Sequence, residues 1–320
     1  MKNILITGGA GFIGSNLSEY LLNNGYNVII VDDLSTGEIK NISKLKVKFY
    51  QRDVLDINKI NFKKKIDIII HLAAKAEILI SKDKESIYSR SNLNALQSLL
   101  NFASRKKIKK FIFASSASIY GDTMNKKISE KFKSDPKHFY AYTKLIGEKM
   151  IMNYSKINKF NYTILRFFNI YGKKSSAVVA KFIAQKSQNK KITIFGNGKQ
   201  RRDFLHIDDL SRAILKSIKI NKSNNQTYNL GSGKPESIIN LKNIISNKKD
   251  HVFLDKRNDD IEISISNINK IKKHLNWLPQ ITFKKGIINM MIEDKLRLSK
   301  IKLPSIKSQK KLIKSFNRNN

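Results

Sequence analysis

The chain contains no cysteine, which excludes disulfides, thiolate-held zinc and a cysteine nucleophile together. Long apolar runs are missing too. The longest candidates, Val28 to Val31 and Ile66 to Ile70, have strand length and fall far short of the roughly 20 residues a helix needs to cross a bilayer. Met1-Lys2-Asn3 runs directly into Ile4-Leu5-Ile6-Thr7-Gly8, which leaves no room for the charged, apolar and small-residue zones of a secretory leader. A cytoplasmic protein without a membrane span is the expectation, and no metal site is read from the sequence. Internal repeats are also absent.

Acidic residues are scarce: 25 Asp and Glu against 62 Lys and Arg leave a formal net charge of +37. Such an excess suggests a nucleic-acid or membrane-surface partner, but two features weigh against it. The excess is mostly lysine and comes with abundant Ile and Asn, three residues with A- and T-rich codons, so a biased genome yields the pattern without selection for binding. The lysines are also spread along the whole chain, whereas a nucleic-acid footprint clusters on one face or helix. In either case, a basic surface attracts an anionic, phosphate-bearing substrate.

What is present is enough apolar material for a real core, 41% of 320 residues, in one large or two modest domains. Strand-like runs at Asn3 to Thr7, Asn27 to Asp32, Val47 to Gln51, Ile66 to Leu72, Lys110 to Ser115 and Asn161 to Phe167 alternate with segments of helical periodicity. Those segments are Ile13 to Asn24, Ser91 to Arg105 and Tyr140 to Ile157. The alternation predicts an α/β fold, a Rossmann-type doubly wound parallel sheet over residues 1–172. Beyond it the units shorten, and a smaller C-terminal substrate-binding region is expected over 173–303. Residues 304–320 form a basic tail, read as a frayed amphipathic helix or disordered.

The segment Thr7-Gly8-Gly9-Ala10-Gly11-Phe12-Ile13-Gly14-Ser15 follows the first strand and opens the first helix. There Gly8 permits a tight turn, Gly11 lets the backbone approach a pyrophosphate, and Gly14 lets helix and strand pack closely. Asp32, at the end of the second strand, can accept hydrogen bonds from an adenosine ribose and would repel a 2′-phosphate, which favours NAD over NADP. Asp33 can share that role. Downstream, Tyr140 and Lys144 stand four residues apart on one helix face. A phenol titrates near pH 10, so a neighbouring ammonium is what a tyrosine base at neutral pH requires.

These motifs, in this order, resemble the extended short-chain dehydrogenases/reductases, the NAD-dependent epimerase/dehydratase family, and among them the UDP-glucose and UDP-N-acetylglucosamine 4-epimerases. Arg52-Asp53-Val54, His71-Leu72-Ala73-Ala74, Asn92 and Phe113-Ala114-Ser115-Ser116-Ala117-Ser118-Ile119-Tyr120-Gly121 carry the likeness through the first half. Arg166-Phe167-Phe168-Asn169-Ile170-Tyr171-Gly172 and the run from Ile194 to Leu210 continue it, and Tyr228 to Gly233 and Leu275 to Pro279 extend it to about residue 290.

The resemblance implies an NAD site formed by Gly8, Gly11, Phe12, Ile13, Gly14, Asp32, Asp53, Val54, Leu72, Ala73, Ala74, Asn92, Tyr140, Lys144 and Phe168. It makes Ser116 the hydroxyl that orients the sugar, with Ser115 and Ser118 as alternatives. Tyr140 becomes the proton acceptor, and Lys144 the group that holds the nicotinamide ribose and lowers the Tyr140 pKa. Asn169, Phe195, Arg202 and Arg257 would hold the nucleotide sugar, the arginines gripping its diphosphate. Ser264, seven positions after Arg257, would line the pocket near C2 of the sugar, where a small residue admits an N-acetyl group.

The implied reaction is 4-epimerisation of a UDP-hexose through a 4-keto intermediate by a retained NAD. Sugar 4,6-dehydratases carry an Asp-Glu pair after the catalytic hydroxyl, where this chain has Ala117-Ser118. The alternatives are a sister enzyme (a UDP-glucuronate decarboxylase or epimerase, or a 4-keto reductase) or a non-catalytic Rossmann protein that binds nucleic acid. Family members commonly dimerise by pairing two helices per subunit, here those at Ser91 and Tyr140, so a homodimer is expected.

Overall fold

Ile4-Leu5-Ile6, Val28-Ile29-Ile30-Val31 and Ile68-Ile69-Ile70 are apolar at every position, so strands built from them need cover on both faces, as in a parallel sheet wrapped by helices. A computed structural model of the chain describes residues 1–76, 84–123, 126–246, 250–256 and 261–298, and there these runs are buried throughout. The strands are β1 (Asn3–Thr7), β2 (Asn27–Asp32), β3 (Lys48–Gln51), β4 (Ile68–His71), β5 (Lys110–Ser116), β6 (Lys127–Ile128), β7 (Asn161–Phe167), β8 (Asn169–Tyr171), β9 (Ile192–Phe195), β10 (Arg201–His206), β11 (Gln226–Leu230), β12 (Pro235–Ser237), β13 (His251–Leu254) and β14 (Ile265–Ser266). The helices are α1 (Phe12–Asn23), α2 (Glu85–Tyr88), α3 (Ala95–Arg105), α4 (Phe139–Asn158), α5 (Val178–Ser187), α6 (Ile207–Lys219), α7 (Ile238–Ile245), α8 (Asn269–Leu275) and α9 (Phe283–Leu298).

Seven strands form one sheet in the order β11-β7-β5-β4-β1-β2-β3, with every pairing parallel. From β1 the chain runs outward to β3, returns beside β1 as β4, and continues outward the other way. This reversal opens a crevice at the carboxyl ends of β1 and β4, where doubly wound sheets bind ligands. One face is covered by α1, α6 and α8, whose Leu17, Leu21, Leu210, Ile214 and Ile271 join one buried cluster with Ile4, Ile6 and Ile30 of the sheet. The other is covered by α3 and α4, whose Leu96, Leu99, Phe102 and Ile151 pack against Leu5, Ile29 and Ile69. A separate cluster of Val179, Phe182, Ile194, Phe204, Leu241 and Ile287 joins α5, α7 and α9 to β9 and β10 as the smaller C-terminal region.

The doubly wound sheet is as expected, with β1, β2 and β7 at the expected bounds. Its seventh strand, β11, comes from residues beyond 172, so the sheet crosses the boundary read from the sequence. Ile66 to Leu72 shortens to β4, although the N–H groups of Asp67 and Leu72 still donate to Asn3 and Thr7 of β1. The helix expected from Ser91 starts earlier and is interrupted: a π turn over Ser89–Asn94 joins α2 to α3. A wider turn breaks the 3.6-residue repeat on which the sequence reading relied. The tail over 304–320 lies outside the described residues.

Candidate active site

A cleft of ≈ 510 Å³ opens at the crevice beside β1, within the size range of small-molecule sites. Its floor is the glycine loop. Gly8 has φ +72°, and a Cβ there would stand 2.6 Å from the Ala73 backbone nitrogen, so the loop after β4 can lie against it only if residue 8 is glycine. A Cβ on Gly14 would stand 2.1 Å from the Gly8 carbonyl oxygen, which accounts for the third glycine. Gly11 differs: an added Cβ would meet only the Gly8 oxygen, at 3.4 Å. Because Gly11 lines the cleft, the missing side chain leaves room there for a ligand. Gly11 also N-caps α1 without a side-chain acceptor, and the first turn has no acid. Phe12, Ile13 and Gly14 of that turn line the cleft, so this helix start suits a pyrophosphate.

At one end of the cleft lie Asp32, Asp33, Asp53 and Val54. Asp32 Oδ2 accepts from the Ala10 N–H at 2.9 Å and Oδ1 from the Leu34 N–H at 2.8 Å. Burial holds its pKa above the usual carboxylate value, while those two donors and Lys75 pull it back. Asp53 caps the turn that follows it, accepting from the Leu55 N–H at 2.9 Å, and pairs with Arg90 at 2.9 Å. Leu72, Ala73 and Ala74 form the wall after β4. Asn92 is buried behind that wall rather than in the cleft lining: its Oδ1 accepts from the Lys75 N–H at 2.9 Å, and its Nδ2 donates to the Lys75 carbonyl at 3.0 Å and to Thr143 Oγ1 at 3.0 Å.

At the other end, Ser116 closes β5 while Tyr140 and Lys144 stand on consecutive turns of α4; all three line the cleft. Ser116 Oγ accepts from the Ser118 N–H and hydroxyl at 3.2 and 2.9 Å, and its side chain lies beside the Tyr140 hydroxyl. Burial pushes the Tyr140 pKa up to about 12, against the pull of Ser116. Lys144 Nζ donates to the Ala114 carbonyl at 2.8 Å and lies 5.8 Å from the Tyr140 ring centroid. Burial brings its pKa down to about 8, opposed by the Glu148 charge. In the protein alone the Lys144 ammonium is turned to the Ala114 carbonyl, and burial of the phenol dominates the Tyr140 pKa.

Below this trio lies a network that the sequence reading missed. Arg166 of β7 donates from Nε and Nη2 to the two carboxylate oxygens of Glu148 at 2.9 and 2.7 Å, and from Nη1 to the Tyr120 hydroxyl at 2.8 Å. Ser115 Oγ donates to the same carboxylate. The signal was present in the sequence. Arg166 interrupts a strand that is otherwise buried, and Glu148 extends the Tyr140–Lys144 spacing by one further turn, so each charge needs a partner.

Phe168, Asn169, Ser175, Ser176, Val178 and Phe204 line the part of the cleft nearest the C-terminal region. Phe195, Arg202 and Ser264 are not in that lining. Arg202 follows Arg201, whose N–H donates to Glu262 at 2.7 Å and whose carbonyl accepts from the Ser264 N–H at 3.1 Å, so Ser264 and Arg202 belong to neighbouring segments beside the cleft. Arg257 lies outside the described residues. Asp203, within the same motif, is fully buried and gathers donors from three residues: Ser232 Oγ at 2.6 Å, the Gly233 N–H at 3.0 Å and the Ser266 N–H at 2.8 Å. Among the described residues no group of three or more His, Cys, Asp or Glu is placed to hold a metal ion, and no helix is long and apolar enough to cross a membrane.

The model of the family described as "NAD dependent epimerase/dehydratase family" matches residues 4–231. A UDP-glucuronate 4-epimerase of Thermodesulfobacterium geofontis is 33% identical over 307 residues, covering 90% of this chain and 94% of that protein. The crystal structure of the Thermotoga maritima UDP-glucose 4-epimerase with UDP-glucose superimposes with a TM-score of 0.87 at 30% identity, over 92% of this chain and 99% of that one. The UDP-glucuronic acid 4-epimerase of Bacillus cereus, in complex with UDP-glucuronic acid and NAD, gives 0.84 at 31% identity over the same shares.

Proposed function

We propose, on the premise that this chain belongs to the NAD dependent epimerase/dehydratase family, that it is a 4-epimerase of a UDP-hexose and works with a retained NAD. The observation that carries this reading is where the carboxylates lie. Among the described residues lining the cleft the acids are Asp32, Asp33 and Asp53, all at the ends of β2 and β3. None accompanies Ser116 and Tyr140, where Ala117 and Ser118 follow instead. Eliminating water from a 4-keto sugar needs an acid and a base near the reacting carbons. Epimerisation needs one proton acceptor, one orienting hydroxyl and a hydride carrier.

Tyr140 and Ser116, side by side in the cleft lining, can both reach one sugar oxygen. In this account Ser116 orients the 4-hydroxyl and Tyr140 Oη takes its proton, then returns it when the ketone is reduced from the other face. Gly8, Gly11, Phe12, Ile13, Gly14 and Asp32 would hold NAD, which would supply hydride acceptance and return at C4 and, by its positive charge in the same cleft, would favour the Tyr140 phenolate. Lys144 would hold the nicotinamide ribose and Phe168 would border the nicotinamide; Asn169, Arg202 and Arg257 would hold the diphosphate. Phe195 borders the substrate. Ser264, beside Arg201, leaves space for an N-acetyl group at C2. The glucuronate epimerases at 31–33% identity favour a second reading, in which the hexose is a uronate. A homodimer through α3 and α4 is supported by the exposed Tyr142 and Ile146 on successive turns of α4.

A substrate deuterated at C4 and run in H₂O tests the reaction class. Full retention of the label at C4 of the epimer is expected. Loss of water with solvent hydrogen appearing at C5, as elimination requires, would overturn the proposal.

A further inference from the structure

Lys75 follows β4 and Ser35 follows β2, and in the sheet β1 lies between those strands. Lys75 Nζ nevertheless donates to Ser35 Oγ at 2.9 Å. The side chain therefore spans two inter-strand steps of about 4.8 Å each, above the glycine loop. Both residues line the cleft, and both ends of the bridge are anchored. Asn92 holds the N–H and the carbonyl of Lys75. Ser35 donates from its N–H and its hydroxyl to Asp33 Oδ1 at 2.9 and 2.7 Å.

Charge gives the bridge a use. The described lining of the cleft has two cations, Lys75 and Lys144; Lys144 is occupied at the catalytic end by the Ala114 carbonyl. The glycine loop from Gly8 to Ser15 contains no basic residue, so a pyrophosphate there receives only helix-end N–H groups unless a side chain adds charge. We infer that Lys75 is a strap over the dinucleotide: its ammonium faces the pyrophosphate, Ser35 is its latch, and the closed strap retains the cofactor between turnovers. This rests on the reading that NAD occupies the cleft.

The test is release of NAD from the purified holoprotein into dinucleotide-free buffer, with bound NAD measured per chain over time after gel filtration. Lys75→Ala is expected to release it at least tenfold faster and with less dependence on salt, Ser35→Ala a few-fold faster, and Lys75→Arg close to the wild-type rate. Lys48→Ala, which removes an equal charge on the edge strand β3, is the control and should match wild type. Wild-type release from Lys75→Ala would overturn the strap while leaving NAD in place. A wild-type protein that neither carries nor takes up NAD would overturn the underlying reading along with the strap.

Discussion

Asn92 grips both backbone polar groups of Lys75, accepting from its N–H at 2.9 Å and donating to its carbonyl at 3.0 Å, and reaches Thr143 Oγ1 with the same amide nitrogen. Thr143 Oγ1 in turn donates to the Tyr140 carbonyl at 2.7 Å. One buried amide thus joins the wall of the dinucleotide cleft to the helix that bears the proposed proton acceptor. Asn92→Asp keeps the acceptor but sets an oxygen against the Lys75 carbonyl. It should cost about 1–3 kcal/mol in urea unfolding and speed NAD loss. A variant with unchanged stability and retention would show that the link has no effect.

The Arg166–Glu148 pair behaves differently, because both partners are charged and buried. Arg166→Met leaves the Glu148 carboxylate without its cation and should cost about 3–5 kcal/mol. Glu148→Leu combined with Arg166→Met should cost clearly less than the two single changes added. Strict additivity in chemical denaturation would contradict a mutual pair.

How much of this could be read beforehand depended on how local the cause was. Strands β1, β2 and β7 lie at their expected bounds; for β1 and β2 the apolar run ends at a polar residue within the same segment, Thr7 and Asp32. The glycine loop and the Tyr140–Lys144 spacing were legible for the same reason. The place of β11 was not, since its partner β7 ends about sixty residues earlier and nothing in Gln226 to Leu230 names it. Lys75 and Ser35 passed unremarked, as their proximity follows from strand order. The role of Asp203 was hidden too: its motif was recognised, but its donors come from Ser232, Gly233 and Ser266.

Asp203→Asn should accordingly act through position. Replacing one carboxylate oxygen by a donor sets it against the N–H and hydroxyl groups of those residues and should lower stability by about 1–3 kcal/mol. Because β10 carries Arg202 and the neighbouring segment carries Ser264, the KM for the nucleotide sugar should rise by a larger factor than kcat falls. The opposite split in steady-state kinetics would contradict this.

His71 supplies the pH dependence. It is buried, its Nδ1 lies 2.6 Å from Thr7 Oγ1, and burial, with the Lys144 charge, lowers its pKa to about 3. Between pH 6.5 and about 3 the unfolded chain binds a proton that the folded chain refuses. Stability conferred by the neutral ring is therefore full above pH 6.5 and is lost as the pH falls through that window, by at most about 1.4 kcal/mol per pH unit. In urea titrations from pH 7 to 4, His71→Asn should show a shallower acid-side slope than wild type. Equal slopes would mean that His71 is not held neutral.

The central claim is 4-epimerisation with a retained cofactor. Its most direct test is to incubate the purified protein, with no NAD added, with UDP-N-acetylglucosamine and separately with UDP-glucose, and to follow the anomeric proton signals by NMR. The account predicts that the galacto epimer appears, with the N-acetyl sugar accepted as Ser264 would allow. No change in either sugar, even after NAD is supplied, would contradict it.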